Sequence, residues 1–168
     1  MWGLAPVKPN AILGMKAHDA FEAYAAAIAQ TSGRIAYTDK MMGDIIKDIA
    51  NRINQDPDID AMGNPLKRTD VVIMGGEKNE VYELKPASCE SGYKHKKAID
   101  QITGYIDSII NSIFHNTAEG DSIPENDTLP FVDSGLGDNS TITFWRDKEH
   151  SGLYYYSIDD GISGDKND

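Results

Sequence analysis

The sequence predicts an α/β domain in which helices flank a mixed central β-sheet, in the order α-α-β-β-α-β-β. Three observations predict it. Two stretches with helical spacing fill the first third of the chain. Two short β-rich runs, 70–74 (DVVIM) and 80–85 (EVYELK), are joined by a Gly-containing turn. A third helical pattern then separates these runs from two further ones rich in aromatic and β-branched residues. At 168 residues the chain is long enough to bury a core without covalent staples. One domain is expected over 1–158: a core at 10–116, a long loop at 116–140 and a final strand pair at 141–158. An acidic, disordered tail is expected at 159–168.

Residues 1–13 hold two prolines and no period, so an extended lead-in is expected. The Ala-rich stretch 14–30 predicts a helix with Ala17, Phe21, Tyr24 and Ile28 on its apolar stripe and His18 and Glu22 on a neighbouring face. Thr31, Ser32 and Gly33 end it. A second helix is predicted over 39–55 from the spacing of Met42, Ile45, Ile46, Ile49 and Ile53. Breakers at Asp56-Pro57, Gly63-Asn64 and Asn64-Pro65 make 55–69 a turn-rich connection. The hairpin 70–85 follows, then a loop at 86–93. A helix over 94–115 is predicted to bury Ile99, Ile102, Ile106, Ile109 and Ile113. Segments 141–145 and 152–158 are read as the closing strand pair.

A net charge of −11 argues against a chain that handles nucleic acid, but the acidity is uneven, which softens the objection. Residues 1–120 carry 13 basic and 16 acidic side chains, whereas 121–168 carry 3 and 11. The single cysteine, Cys89, excludes an internal disulfide framework and a multi-cysteine zinc site. No apolar run reaches the roughly 18 residues of a membrane span, and the N-terminus lacks the pattern of a Sec signal, so neither is expected in this chain.

Chemistry concentrates between Arg68 and Tyr105. Asp70 opens one strand, and Glu83 and Lys85 lie two apart on the next, so they share a sheet face while Tyr82 and Leu84 take the other. Gln101 and Tyr105, four apart, share a helix face. Hydrolysis of a phosphodiester with Mg²⁺ or Mn²⁺ needs hard oxygen ligands, a water and a cation near the phosphate. Asp70, Glu83 and the Leu84 carbonyl could supply the ligands, and Lys85 could orient or help deprotonate the water. Lys94, Lys96 and Lys97 precede Gln101, and phosphate contacts there would lead substrate toward the metal. Each residue also has a plainer reading. Glu83 and Lys85 could form a solvated pair, Asp70 a turn, Gln101 a polar helix position, Tyr105 a packing residue and the lysines a solvated face.

The pattern Asp70…Glu83-Leu84-Lys85…Gln101-x-x-x-Tyr105 resembles the PD-(D/E)XK nuclease superfamily, with its restriction-endonuclease-like core, and the Gln-x-x-x-Tyr is similar to its RecB-like branch. The local text is most similar to nuclease domains of bacterial polymorphic toxins: Asn10-Ala11-Ile12-Leu13-Gly14 with Ala17-His18, Arg68-Thr69-Asp70-Val71-Val72, Tyr82-Glu83-Leu84-Lys85-Pro86, and Gln101-Ile102 with Tyr105. Thr69 stands where that family usually has proline. The resemblance implies Mg²⁺ or Mn²⁺ on Asp70 and Glu83, with Lys85 as the catalytic lysine. It also implies a further catalytic carboxylate from the first helix, for which Glu22 is the candidate, with His18 one turn earlier near substrate. Asp44 and Asp48 compete more weakly for that role.

The function implied is a DNase used as an antibacterial toxin, delivered by a dedicated system, active in the target-cell cytoplasm and matched by an immunity protein. A housekeeping or phage nuclease of the same fold, and a non-catalytic module that binds protein or nucleic acid, remain alternatives.

Overall fold

The computed structural model describes residues 9–113, 115–130 and 140–159. The elements are α1 (Pro9–Thr31), β1 (Ile35–Met41), α2 (Met42–Arg52), β2 (Arg68–Met74), β3 (Asn79–Pro86), α3 (Gly92–Ile113), β4 (Thr117–Glu119), β5 (Asn126–Pro130), β6 (Thr141–Arg146) and β7 (Leu153–Asp159). The α/β class follows: three helices pack on one seven-stranded, mixed and largely antiparallel sheet. No helix among the described residues is long and apolar enough to cross a membrane.

The strand order is β1-β2-β3-β7-β6-β5, with β4 also pairing β3. Strands β1, β2 and β3 form an antiparallel meander; α3 carries the chain across to β4, and both β4 and the last strand, β7, run parallel to β3. One edge of β3 is divided. Its first half, Asn79 to Val81, pairs with β4, and its second half, Glu83 to Pro86, pairs with β7. The handover demands a residue without a side chain. A Cβ on Gly152 would lie 2.4 Å from the Val81 carbonyl oxygen, closer than real contacts allow.

Alternation on β2 and β3 separates two cores. Val71, Ile73, Tyr82 and Leu84 face α1, where they pack with Phe21, Ala25, Phe144 and Tyr154. Val72, Met74 and Val81 face α2 and α3, packing with Ile45, Ile49, Ile102, Tyr105 and Ile109. The helices thus cover both faces. Helix α1 ends as its sequence predicts, with Gly33 at φ 70° and Arg34 N–H reaching back to the Ala29 carbonyl at 2.8 Å.

Four expectations change. The lead-in expected at 1–13 is helical from Pro9, because proline suits the first helical position; residues 1–8 lie outside the described residues. The second helix is shorter than expected, Met42–Arg52, and residues 35–41 before it form β1. That strand is held by a long ladder to β2, from Ile35↔Met74 to Met41↔Arg68, a non-local pairing that the local spacing does not reveal. The stretch expected to be a long loop, 116–140, contains β4 and β5; 131–139 lie outside the described residues. The last strand runs through Asp159, and the tail from 160 onward also lies outside them.

At the far end of β3 from Lys85, buried Glu80 ties distant segments together. It forms an ion pair with Arg34 and accepts the Asp121 and Ser122 N–H groups at 2.8 and 3.1 Å and the Tyr82 hydroxyl at 2.9 Å. Burial alone would push its carboxyl up, but the Asp121 N–H and the Ser122 and Tyr82 donors outweigh it and hold the group at about 2. Stability from this network is complete above the ordinary glutamate value of 4.5 and is lost as pH falls toward about 2. Melting followed by circular dichroism should show a steep decline across that interval for the native chain. Glu80→Gln should melt lower at neutral pH and decline less steeply; parallel profiles would contradict this role.

Candidate metal and phosphodiester site

The β2–β3 ladder stops at Val71↔Tyr82, one residue short of Asp70 and Glu83. Beyond it, the backbone groups of Leu84 on the β2 side lack a ladder partner, and side chains take them. Leu84 N–H donates to Asp70 Oδ2 at 2.7 Å, and the Leu84 carbonyl accepts from His18 Nε2 at 3.1 Å. The opening between the strands therefore gathers Asp70, Leu84 and His18.

Glu83 and Lys85 lie beside it on the face toward α3. Glu83 is 3% exposed; its Oε1 meets Lys85 Nζ at 2.9 Å, while its Oε2 is buried without a partner. Thr69 Oγ1 is buried and unpartnered too. Burial first, then the neighbouring Asp70 charge, raises the Glu83 carboxyl to about 7, against the opposing pull of Lys85 and His18.

His18 is held as a cation. Its Nδ1 lies 2.8 Å from the Gly14 carbonyl and its Nε2 faces the Leu84 carbonyl, and since both oxygens only accept, both ring nitrogens carry hydrogen. Asp70 Oδ2 lies 3.5 Å from the same Nε2. Burial disfavours the charged ring, but the Asp70 hydrogen bond and charge, with the Gly14 carbonyl, prevail and raise it to about 9.

Glu22, one turn along α1, is half-buried. Burial and then the charges of Asp70, Asp39 and Asp19 raise its carboxyl to about 7. Asp48 is engaged elsewhere, with Arg52 at 2.8 Å and the Tyr37 hydroxyl, and Asp44 is an exposed residue of α2.

From the other face α3 supports β2. Gln101 Nε2 donates to the Tyr105 hydroxyl at 2.6 Å, which donates to the Arg68 carbonyl at 2.7 Å. Tyr105 is 3% exposed and its hydroxyl is occupied, so it anchors the strand that carries Asp70. A cleft of about 680 Å³ opens beside Lys85, lined by Lys67, Lys94, Lys97, Cys89, Asp100 and Gln101. Lys94 and Lys97 are therefore on its wall, whereas Lys96 is exposed away from it. The sequence pattern does not single out Lys67. It sits in a turn-rich segment, and only the fold brings it opposite α3.

No family model, curated protein or solved structure matches the chain. Among the described residues no three His, Cys, Asp or Glu side chains form a ready-made metal cage. The donor set nevertheless fits an ion of the Mg²⁺ type, which characteristically takes one or two carboxylates and keeps several waters. Asp70, Glu83 and the Leu84 carbonyl are hard oxygens, and the orphaned Glu83 Oε2 is a buried acceptor for which the protein supplies no donor.

The His18 arrangement can be tested by proton NMR without added metal. Its ring protons should titrate near 9, and Asp70→Asn should lower that value because burial then weighs more heavily. A wild-type midpoint near the ordinary 6.5, or one indifferent to Asp70→Asn, would contradict the pairing.

Proposed function

We propose that the chain is a divalent-metal-dependent nuclease that hydrolyses phosphodiester bonds on a restriction-endonuclease-like core. One observation carries the reading: Asp70, Glu83 and Lys85 meet at the open end of two strands, an unpartnered buried carboxylate oxygen among them, at the edge of a lysine-lined cleft. A mixed sheet covered by helices on both faces also supports it.

In this reading Asp70, Glu83 and the Leu84 carbonyl hold the ion. When bound, it supplies positive charge against the scissile phosphate and acidifies a water. Lys85 orients that water and adds its own charge at the phosphate, and Lys94 and Lys97 bind flanking phosphates. Glu22, with a carboxyl that ionises near neutral pH, is the additional acid–base group. His18 holds the Leu84 carbonyl and the Asp70 carboxylate in register, and Gln101 acts through Tyr105 to position β2. DNA as the polymer, a role as an antibacterial toxin, special delivery and a cognate immunity protein rest on the resemblance to polymorphic-toxin nuclease domains alone.

The test is incubation with plasmid DNA and with RNA in Mg²⁺, Mn²⁺ or EDTA. Cleavage should require the ion and fall by about 100-fold or more in Asp70→Ala, Glu83→Gln and Lys85→Ala. Cleavage in EDTA, wild-type activity in Lys85→Ala, or no cleavage of either polymer would overturn the proposal.

A further inference from the structure

The cleft beside Lys85 gathers four lysines, Lys67, Lys85, Lys94 and Lys97, against one acid, Asp100, in a chain of net charge −11. A lysine-lined cleft in an acidic protein is a local site for a polyanion.

The segments that carry two of these lysines add a second feature. Among the described residues five large apolar side chains are exposed, and two of them directly precede a cleft lysine: Leu66 at 69% before Lys67, and Tyr93 at 80% before Lys94. Leu66 is on the loop between α2 and β2 and Tyr93 is at the start of α3. The loop that bears Leu66 is firmly held, because Met42 N–H donates to the Lys67 carbonyl at 2.7 Å and Gly43 N–H to the Pro65 carbonyl at 2.9 Å. Leu66 N–H also donates to Asn64 Oδ1 at 3.0 Å. Leu66 is thus presented outward by ordered backbone. A cation beside an exposed apolar or aromatic face is what a single strand requires: the lysine meets its phosphate and the ring meets its base.

We infer that the cleft binds single-stranded nucleic acid, with Tyr93 as the base-stacking platform and Lys67, Lys94 and Lys97 as the phosphate contacts. The inference rests on the nuclease reading for what happens to the strand, but binding alone tests it. The probes are fluorescein-labelled oligo(dT), oligo(rU) and a blunt DNA duplex of matching length, followed by anisotropy in EDTA so that no cleavage intervenes. Both single strands should bind at least about tenfold more tightly than the duplex, and a preference between them names the sugar. Tyr93→Ala should weaken single-strand binding about 5- to 150-fold and leave the duplex unchanged, whereas Tyr93→Phe should retain it. Lys67→Ala should make the salt dependence shallower by about 0.7 in slope.

A duplex bound as tightly as the single strands, or Tyr93→Ala behaving as wild type, would overturn the inference. If either result accompanies ion-dependent plasmid cleavage, the nuclease reading stands and this one fails. Tight single-strand binding without cleavage of any polymer does the reverse.

Discussion

A buried negative charge without a full set of partners is the constraint around which this molecule is arranged. Glu83 is nearly inaccessible, has one oxygen on Lys85 and the other on nothing, and shares its surroundings with Asp70. Two carboxylates in such a place are costly unless positive charge offsets them. The chain supplies part of that charge from opposite sides: Lys85 from β3 itself and the His18 imidazolium from α1. The raised Glu83 carboxyl reflects an incomplete offset, which a proton near neutral pH, or in the proposed function a bound cation, would complete.

The sheet is built to keep that corner open. Strands β2 and β3 pair up to Tyr82 and then part, and from Glu83 onward β3 turns its other edge to β7. Glu83 N–H accordingly donates to the Gly152 carbonyl at 2.9 Å, and Leu84 is left to Asp70 and His18. Packing on both faces fixes the parting. Leu84 and Tyr82 are locked into the α1 core, while Tyr105 on α3 holds the Arg68 carbonyl at the start of β2. At the opposite end of β3, the Arg34–Glu80–Ser122 network anchors the strand.

Much of this architecture is legible in the amino-acid sequence. Helical spacing locates α1, α2 and α3, and alternation locates β2 and β3, because each of these carries its own apolar pattern. The residues at the corner are visible for the same reason: Asp70, Glu83 and Lys85 have fixed positions on strands whose period is two. Elements that depend on distant partners are not legible. Strand β1 is recognisable through its ladder to β2, β4 through three residues set against β3, and β5, rich in turn residues, through β6. The cleft follows the same rule. Lys94 and Lys97 are readable as a helix face, but Lys67 joins them only through folding. Tyr105 sits at the expected helical spacing, yet its hydroxyl faces inward to β2, a distinction that spacing cannot draw.

The nuclease reading stands or falls on whether the corner takes one divalent ion. Electron paramagnetic resonance can count bound Mn²⁺ directly in the full chain, independently of any cleavage. We expect one saturable site that disappears in Asp70→Asn and in Glu83→Gln and persists in Lys96→Ala, which leaves the corner untouched. No saturable Mn²⁺ binding, or a site that survives both carboxylate substitutions, would contradict the central claim.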